Sequence, residues 1–147
     1  MTKKEFLEEW FKRVWIEEDE AAIAELLQPK SQLEGLREIP QVGPEEFTPF
    51  VKALLAQVKV KQVTIKRCLE DDSWISALLA LTLECRTSGT TIHHTGQVMA
   101  RIEDGKIVEG YNHFDFISLY EGLGLLPKTT LALCLQGQRF SMTDTAA

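Results

Sequence analysis

The stretch GQVMARIEDGKIVEGYNHFD, residues 96–115, decides the fold. Apolar and polar residues alternate on both sides of Asp104-Gly105, and Asp-Gly is the strongest short sequence signal of a β-hairpin. The stretch therefore predicts two antiparallel strands, the second running from Ile107 to Ile117. Asp115 lies inside that second strand, although aspartate is among the residues that strands use least. A carboxylate there requires a partner, because burying an unpaired charge is costly.

A two-residue turn at Asp104-Gly105 also predicts the pairing register of the two strands, because opposite residues are found by counting outward from the turn in equal steps. Opposite residues point to the same face of the sheet. The predicted pairs are Ile102–Ile107, Ala100–Glu109, Val98–Tyr111, Gly96–His113 and His94–Asp115. Asp115 and His94 are thus expected on the apolar face, with His113 and Tyr111 beside them. A single bulge between the turn and His94 would break this register.

An aspartate opposite a histidine on an apolar face indicates acid/base chemistry. Desolvation raises the pKa of a carboxyl group and a cationic histidine lowers it, so the pair can exchange a proton near neutral pH. The alternative is a buried polar pair that only fixes the register, because structural pairs also perturb pKa values. His93, His94, His113 and Asp115 resemble a two-histidine, one-carboxylate metal site. No helical H-E-x-x-H spacing or cysteine pair accompanies them, and we predict no metal.

Helices are predicted in the first third of the chain. Thr2 and Glu5 form a capping box before an apolar stripe at helical spacing. Asp19 caps a second helix that Pro29 ends. Gly43-Pro44 begins a third helix. In a fold with a pocket, the side chains expected to line it are Phe11 and Trp15 of the first helix, Phe50 and Leu54 of the third, and Val98 of the sheet.

Strands follow the helices, so the predicted class is α+β, with helices on one antiparallel sheet. We predict a single domain over residues 1–137 and a C-terminal tail over 138–147. The net charge of −6 argues against nucleic acid and anionic membranes as partners. The odd count of three cysteines and the absence of an apolar leader favour a reduced, cytoplasmic protein. The sequence contains no glycine-rich phosphate-binding loop, so we predict no organic cofactor.

The strand WISALLALTLEC, residues 74–85, is apolar on both faces. An antiparallel strand usually shows one face to water, and helices can cover only one side. A second subunit would cover the other side, which predicts a homodimer.

The hairpin and the LYEGLG that follows it resemble the final hairpin of SnoaL-like proteins, within the nuclear transport factor 2-like and ketosteroid isomerase-like superfamily. The stretches EEDEAAIAELLQP and GPEEFTPFVKAL resemble the N-terminal helices of that family. The resemblance implies a cone-shaped fold in which a curved antiparallel sheet packs on helices around an apolar pocket. It also implies that Asp115 is the acid/base of a polyketide cyclase-like reaction. Tyr111 stands where the family commonly has tryptophan, and Gly122 stands where it commonly has glutamine.

Two functions from different classes follow. The first is an enzyme that binds a small apolar carbonyl compound, with Asp115 as the base and His94 orienting it, and Tyr111 and His113 as hydrogen-bond donors to the enolate oxygen. The second is a non-catalytic binding or dimerising module on the same fold, because fold does not fix function. The sequence names no substrate.

Overall fold

The computed structural model describes residues 1–34 and 43–141. The sequence of residues 30–43 indicates irregular structure with room for one short strand, and most of this segment lies outside these ranges, as does most of the predicted tail. The described chain divides into two compact units, the first over Met1–Asp115 and the second beginning at Phe116. The helices are α1 (Lys3–Trp10), a π-helix (Phe11–Ile16), α2 (Glu20–Leu26), α3 (Pro44–Leu55), α4 (Phe116–Gly122) and α5 (Thr130–Leu135). The strands are β1 (Leu27–Glu34), β2 (Val58–Asp71), β3 (Trp74–Cys85), β4 (Thr91–Glu103) and β5 (Lys106–Phe114).

The first helix begins as predicted. The Thr2 hydroxyl accepts a hydrogen bond from the Glu5 amide at 3.0 Å, and the Glu5 carboxylate accepts one from the Thr2 amide at 2.8 Å. The helix then widens into the π-helix Phe11–Ile16, which the sequence did not predict. Such π-helical turns are rare and often occur at functional sites.

The second helix is capped by Asp19 as predicted, but it ends at Leu26. The prediction that Pro29 ends this helix is wrong, because Leu27 already begins β1 and Pro29 lies inside that strand. Strand β1 is at the edge of the sheet, where a proline without an N–H is tolerated. The third helix begins at Pro44 as predicted.

The sheet confirms the α+β class with a curved, open sheet on N-terminal helices, but it is mixed rather than fully antiparallel. Its strand order is β1-β5-β4-β3-β2. The pairs from β2 to β5 are antiparallel, whereas β1 runs parallel to β5. The start of β1 at Leu27 and its parallel pairing escaped prediction, because its polar sequence, LQPKSQLE, lacks strand-like alternation.

The predicted register of the hairpin is wrong beyond its first pairs. Ile102 pairs with Ile107 as predicted, but Arg101 pairs with Glu109, so Val108 is an extra residue that bulges. Beyond the bulge Val98 pairs with Asn112, and Gly96 pairs with Phe114. Every residue of β5 after Val108 is therefore displaced by one position, which moves its side chain to the opposite face.

The sheet has an inner face and an outer face. The inner face carries the buried side chains of β3 and β4, which are Ile75, Ala77, Leu79, Leu81, Leu83, Cys85, Ile92, His94, Val98 and Ala100. The first unit's core also includes the helical residues Leu7, Val14 and Ile23, all at most 2% exposed. The outer face carries Trp74, Leu78, Met99, Arg101 and Tyr111.

The second unit contains α4 and α5. The predicted strand to Ile117 is too long, because β5 ends at Phe114 and α4 begins at Phe116. Helix α4 includes most of the SLYEGLG stretch, and α5 lies within KTTLALCLQG, a stretch whose sequence is compatible with either a short helix or a strand. The Phe116 and Tyr120 rings stack within α4, with centroids 5.9 Å apart.

Candidate functional site

His94 is the most unusual polar side chain on the inner face. It is 5% exposed, and its Nδ1 atom makes no hydrogen bond with any residue that the structure describes. Burial lowers the pKa of His94 below its usual value, while the negative charge of Asp115 opposes this by raising it. The imidazole is therefore neutral near pH 7. Nearly all buried polar groups have partners, so this atom requires an explanation.

Phe114 holds the imidazole of His94 from one side. The two rings stack with centroids 5.7 Å apart and planes inclined by 18°. Gly96, two residues along β4 from His94, leaves room for the phenyl ring, since a Cβ at Gly96 would overlap it. The sequence analysis missed Phe114 and Gly96. A glycine inside a strand was the available signal, because such a glycine often marks a close approach.

Asp115 lies directly after the end of β5. Its side chain is exposed, and its amide donates a hydrogen bond to the Thr95 carbonyl at 3.4 Å. The predicted cross-strand pair of His94 with Asp115 is wrong, because the bulge at Val108 shifts the register. The two residues are still close enough for the carboxylate charge to act on the pKa of His94. The Asp115 carboxylate therefore acts on His94 as a nearby charge and not as its cross-strand partner.

Tyr111 and His113 do not share a face with His94, contrary to the prediction. Tyr111 pairs with Met99, and His113 pairs with Gln97, whose side chains point to the outer face. The Tyr111 ring stacks on Trp74 with centroids 6.3 Å apart, and its hydroxyl donates a hydrogen bond to Glu109. The side chain of His113 is exposed. The bulge thus removes both side chains from the predicted site.

The predicted aromatic wall forms between the π-helix and α3. Trp15 and Phe50 are both half-buried and meet edge to face, with ring centroids 6.4 Å apart. Phe47 contacts both of them, at 6.3 Å from Trp15 and 5.9 Å from Phe50. Leu54, one turn after Phe50, is also half-buried. Accessible aromatic area of this kind suits an apolar ligand.

Two other predicted lining residues are nearly inaccessible. Phe11 is 6% exposed and Val98 is 5% exposed, so both belong to the packed interior. Val98 lies on the inner face of β4, two residues beyond Gly96 and four residues beyond His94.

A cavity of about 300 Å³ opens between the π-helix, α2, α3 and the turn after β3. It is lined by Val14, Glu18, Glu20, Ile23, Thr48, Val51, Lys52, Leu55, Ala56 and Arg86, none of which was predicted as a site residue. Its charged groups are paired with one another, Arg86 with Glu18 at 2.6 Å and Lys52 with Glu20 at 3.0 Å. The Arg86 Nε also donates to the carbonyls of Leu55 and Val58. These contacts give Arg86 a structural role at the end of α3.

Within residues 1–34 and 43–141, no group of three or more His, Cys, Asp or Glu side chains is arranged to hold a metal ion. Helices long and apolar enough to cross a bilayer are likewise absent from the described part of the chain.

The sequence of residues 7–110 matches the model of the SnoaL-like domain. The chain belongs to the SnoaL-like family. The match includes α1 from Leu7 onward, the π-helix, α2, α3, β1 to β4, and β5 up to Gly110. It therefore contains His94 but ends before Phe114 and Asp115. A search among curated proteins gave no match.

Several solved structures share the fold of this SnoaL-like chain. A protein with a ketosteroid isomerase-like fold from Catenulispora acidiphila, in complex with trimethylamine, has a TM-score of 0.69 and 14% identity over 83% of this chain and 94% of its own. TsrD from Streptomyces laurentii has a TM-score of 0.68 and 16% identity over 84% and 95%. A SnoaL-like polyketide cyclase from Agrobacterium tumefaciens has a TM-score of 0.67 and 11% identity over 84% and 99%. At these identities the likeness establishes the fold.

Proposed function

We propose that the chain is a SnoaL-like acid/base enzyme acting on a small apolar carbonyl compound bound against the inner face of the sheet. The observation that carries this proposal is the buried, neutral His94 with an unpartnered Nδ1. A ligand that reaches this atom would provide the hydrogen bond that the described residues do not. A cytoplasmic location is part of the proposal, since Cys68, Cys85 and Cys134 are all free.

The proposed roles separate Asp115 from His94. Asp115 is the base. Its carboxylate abstracts a proton from the carbon next to the substrate carbonyl, so that the C–H bond breaks and an O–H bond forms on Asp115. The His94 Nδ1–H donates a hydrogen bond to the carbonyl oxygen, where negative charge develops. A neutral imidazole suits this role, because it stabilises the enolate without protonating it fully.

The apolar remainder of the substrate would contact the aromatic wall of Trp15 and Phe50, with Leu54, whereas Phe11 and Val98 are buried in the packed interior. Tyr111 and His113 have no part in the proposed reaction, because their side chains point to the outer face. Return of the proton to another carbon would give an isomerisation, whereas attack of the enolate on a second carbonyl would close a ring. A relative of similar fold is described as a polyketide cyclase, which supports this class of chemistry.

The test is deuterium incorporation next to the carbonyl of a panel of small apolar ketones incubated in D₂O. This assay detects the proton abstraction whatever reaction follows. We expect Asp115→Asn and His94→Phe each to lower the exchange rate by about 100-fold or more. His93→Phe is the matched control, because His93 is exposed on the neighbouring position of the same strand. An unchanged rate in Asp115→Asn would reject Asp115 as the base.

The second candidate function is an association module that forms a homodimer through the outer face. Leu78 is 43% exposed and Met99 is 45% exposed on this face. Trp74, Tyr111 and Arg101 lie beside them, and Trp, Tyr, Met and Arg are enriched in protein interfaces. A homodimer is compatible with the enzyme as well. If deuterium incorporation fails and a dimer forms, association becomes the better account.

A further inference from the structure

Gly96 is unusual because its backbone does not require glycine. It lies inside β4 between His94 and Val98, and it is not among the residues with positive φ. Glycine in a strand interior is destabilising, since it orders a flexible residue and buries no side chain. The reason for a glycine at this position must therefore be that a neighbouring group occupies the space that a Cβ atom would fill.

The ring of Phe114 occupies that space. Gly96 pairs with Phe114 across β4 and β5, and a Cβ at Gly96 would overlap the Cδ1 and Cε1 atoms of the ring. The phenyl ring therefore lies across Gly96 and extends along β4 to His94. It stacks on the imidazole with centroids 5.7 Å apart and planes 18° from parallel.

We propose that Phe114, seated on Gly96, is a positioning residue that fixes the plane of the His94 imidazole and so the direction of its buried Nδ1 atom. This inference rests on the proposed function for its catalytic meaning. The stacking covers one face of the imidazole with carbon and so excludes water from it. It also limits rotation of the ring, which would otherwise turn Nδ1 away from the ligand.

The position of Phe114 also couples His94 to Asp115. Asp115 is the next residue in the chain, and its amide donates to the carbonyl of Thr95, the neighbour of His94. Placing the phenyl ring on Gly96 therefore fixes the point from which the Asp115 side chain departs. Among the residues that the structure describes, Asp115 is the charged group that acts on the pKa of His94.

The competing explanation is that Phe114 only fills the space above a glycine, as aromatic residues on neighbouring strands do. Such filling would affect stability and leave the imidazole unchanged. The two explanations therefore differ in the protonation of His94, which is measurable without a substrate.

The experiment is a pH titration of the histidine side chains by ¹⁵N NMR, in which loss of one signal in His94→Phe identifies His94. We expect Phe114→Leu to raise the pKa of His94 toward about 6.5, because water would then hydrate the cation. Gly96→Ala, which displaces the ring without removing it, should raise the pKa in the same direction. Tyr111→Leu is the matched control, since it removes a stacked aromatic ring from the outer face of the same strand.

A double variant tests whether the two residues act together. If Gly96 acts through Phe114, the pKa of His94 in Gly96→Ala/Phe114→Leu should move no further than in the more affected single variant. An unchanged titration of His94 in natively folded Phe114→Leu and Gly96→Ala would overturn the proposal. If Phe114→Leu does not fold, the titration of His94 in Gly96→Ala alone tests the proposal.

The outcome is separable from the test of the proposed function. A shifted His94 pKa together with unchanged deuterium incorporation in both His94→Phe and Asp115→Asn would leave Phe114 as the residue that fixes His94 and would reject the proposed reaction. An unchanged pKa together with lost incorporation would leave the enzyme and reject the role of Phe114.

Discussion

His94 differs from the other two histidines of the chain in its burial. His93 and His113 are exposed, whereas His94 is buried and its Nδ1 has no hydrogen-bond partner in residues 1–34 and 43–141. Leaving a buried polar atom without a hydrogen bond costs about 1–3 kcal/mol. A leucine at this position would pack on the inner face without that cost. The presence of histidine is therefore better explained by a ligand than by stability.

The burial of His94 predicts a dependence of stability on pH. The pKa of His94 is lower in the folded chain than in the unfolded chain, so the unfolded chain binds the proton more tightly. We expect the free energy of unfolding to fall as the pH falls through about 6.5, the unfolded value. Urea denaturation between pH 7.5 and 5.5 measures this while the carboxylates stay ionised. The decrease should be smaller in His94→Phe, and an equal decrease in both proteins would contradict the account.

At the scale of elements, the bulge at Val108 decides which side chains form the site. It places Tyr111 and His113 on the outer face and Phe114 on the inner face. Without it, the register read from Asp104-Gly105 would continue to His94. One inserted residue therefore determines the composition of the candidate site.

Deletion of Val108 should destabilise the fold strongly. The deletion would remove the bulge and turn every later residue of β5 to the opposite face, which would force Tyr111 into the space of Gly110 or Asn112. We expect a loss of about 3 kcal/mol or more, measured by urea denaturation. Val108→Ala retains the bulge and is the control. A deletion variant as stable as Val108→Ala would show that the register is not fixed by this residue.

Arg86 connects the end of α3 to β2 and to Glu18, the second residue after the π-helix. Its Nε donates to the carbonyls of Leu55 at 2.6 Å and Val58 at 3.2 Å, and its Nη2 donates to Glu18 at 2.6 Å. We expect Arg86→Ala to lower the free energy of unfolding by about 1–3 kcal/mol, mainly through the carbonyls left unpaired. The partly exposed ion pair adds little. Arg67→Ala, at an exposed position of β2, should be nearly neutral, and equal losses in both variants would contradict the assignment.

The sequence predicted elements with strong local signals and missed those fixed by neighbouring strands. The capping box at Thr2 and the start of α3 at Pro44 were predictable, because local residues determine both. Strand β1 was not, since pairing with β5 overrides its polar composition. The bulge was not predictable either, because Gly110 and Asn112 give no apolar alternation that would reveal the inner face. Asp115 and His94 were predicted as cross-strand partners, and only the structure showed that the bulge removes this pairing.

At the scale of the whole molecule, the outer face of the sheet is the main surface left to explain. Leu69 on β2 is 79% exposed, and Leu78 and Met99 are also exposed on this face. An apolar surface of this kind on a soluble domain often marks an interaction site. Strand β2 is an edge strand of the sheet and has Lys61 and Lys66 at its two bulges. Lysines and bulges on an edge strand oppose its pairing with a strand of another molecule. Face-to-face association is therefore favoured over strand addition.

The dimer proposed for this face predicts a specific effect of charge. Leu78→Glu or Met99→Lys should shift the protein toward monomer in sedimentation velocity at micromolar concentration, because a buried charge without a partner opposes association. Leu131→Glu is the control, since Leu131 is exposed on α5 in the second unit. A wild-type chain that is already monomeric would contradict the dimer.

The central claim is that the inner face binds the ligand and that His94 Nδ1 makes a hydrogen bond to it. The most direct measurement is the ¹⁵N spectrum of the histidine side chains with and without a ketone that exchanges deuterium in the presence of the protein. We predict that the Nδ1 signal of His94 moves on binding and that the signals of His93 and His113 stay in place. A His94 signal unchanged at saturating ketone would contradict the account.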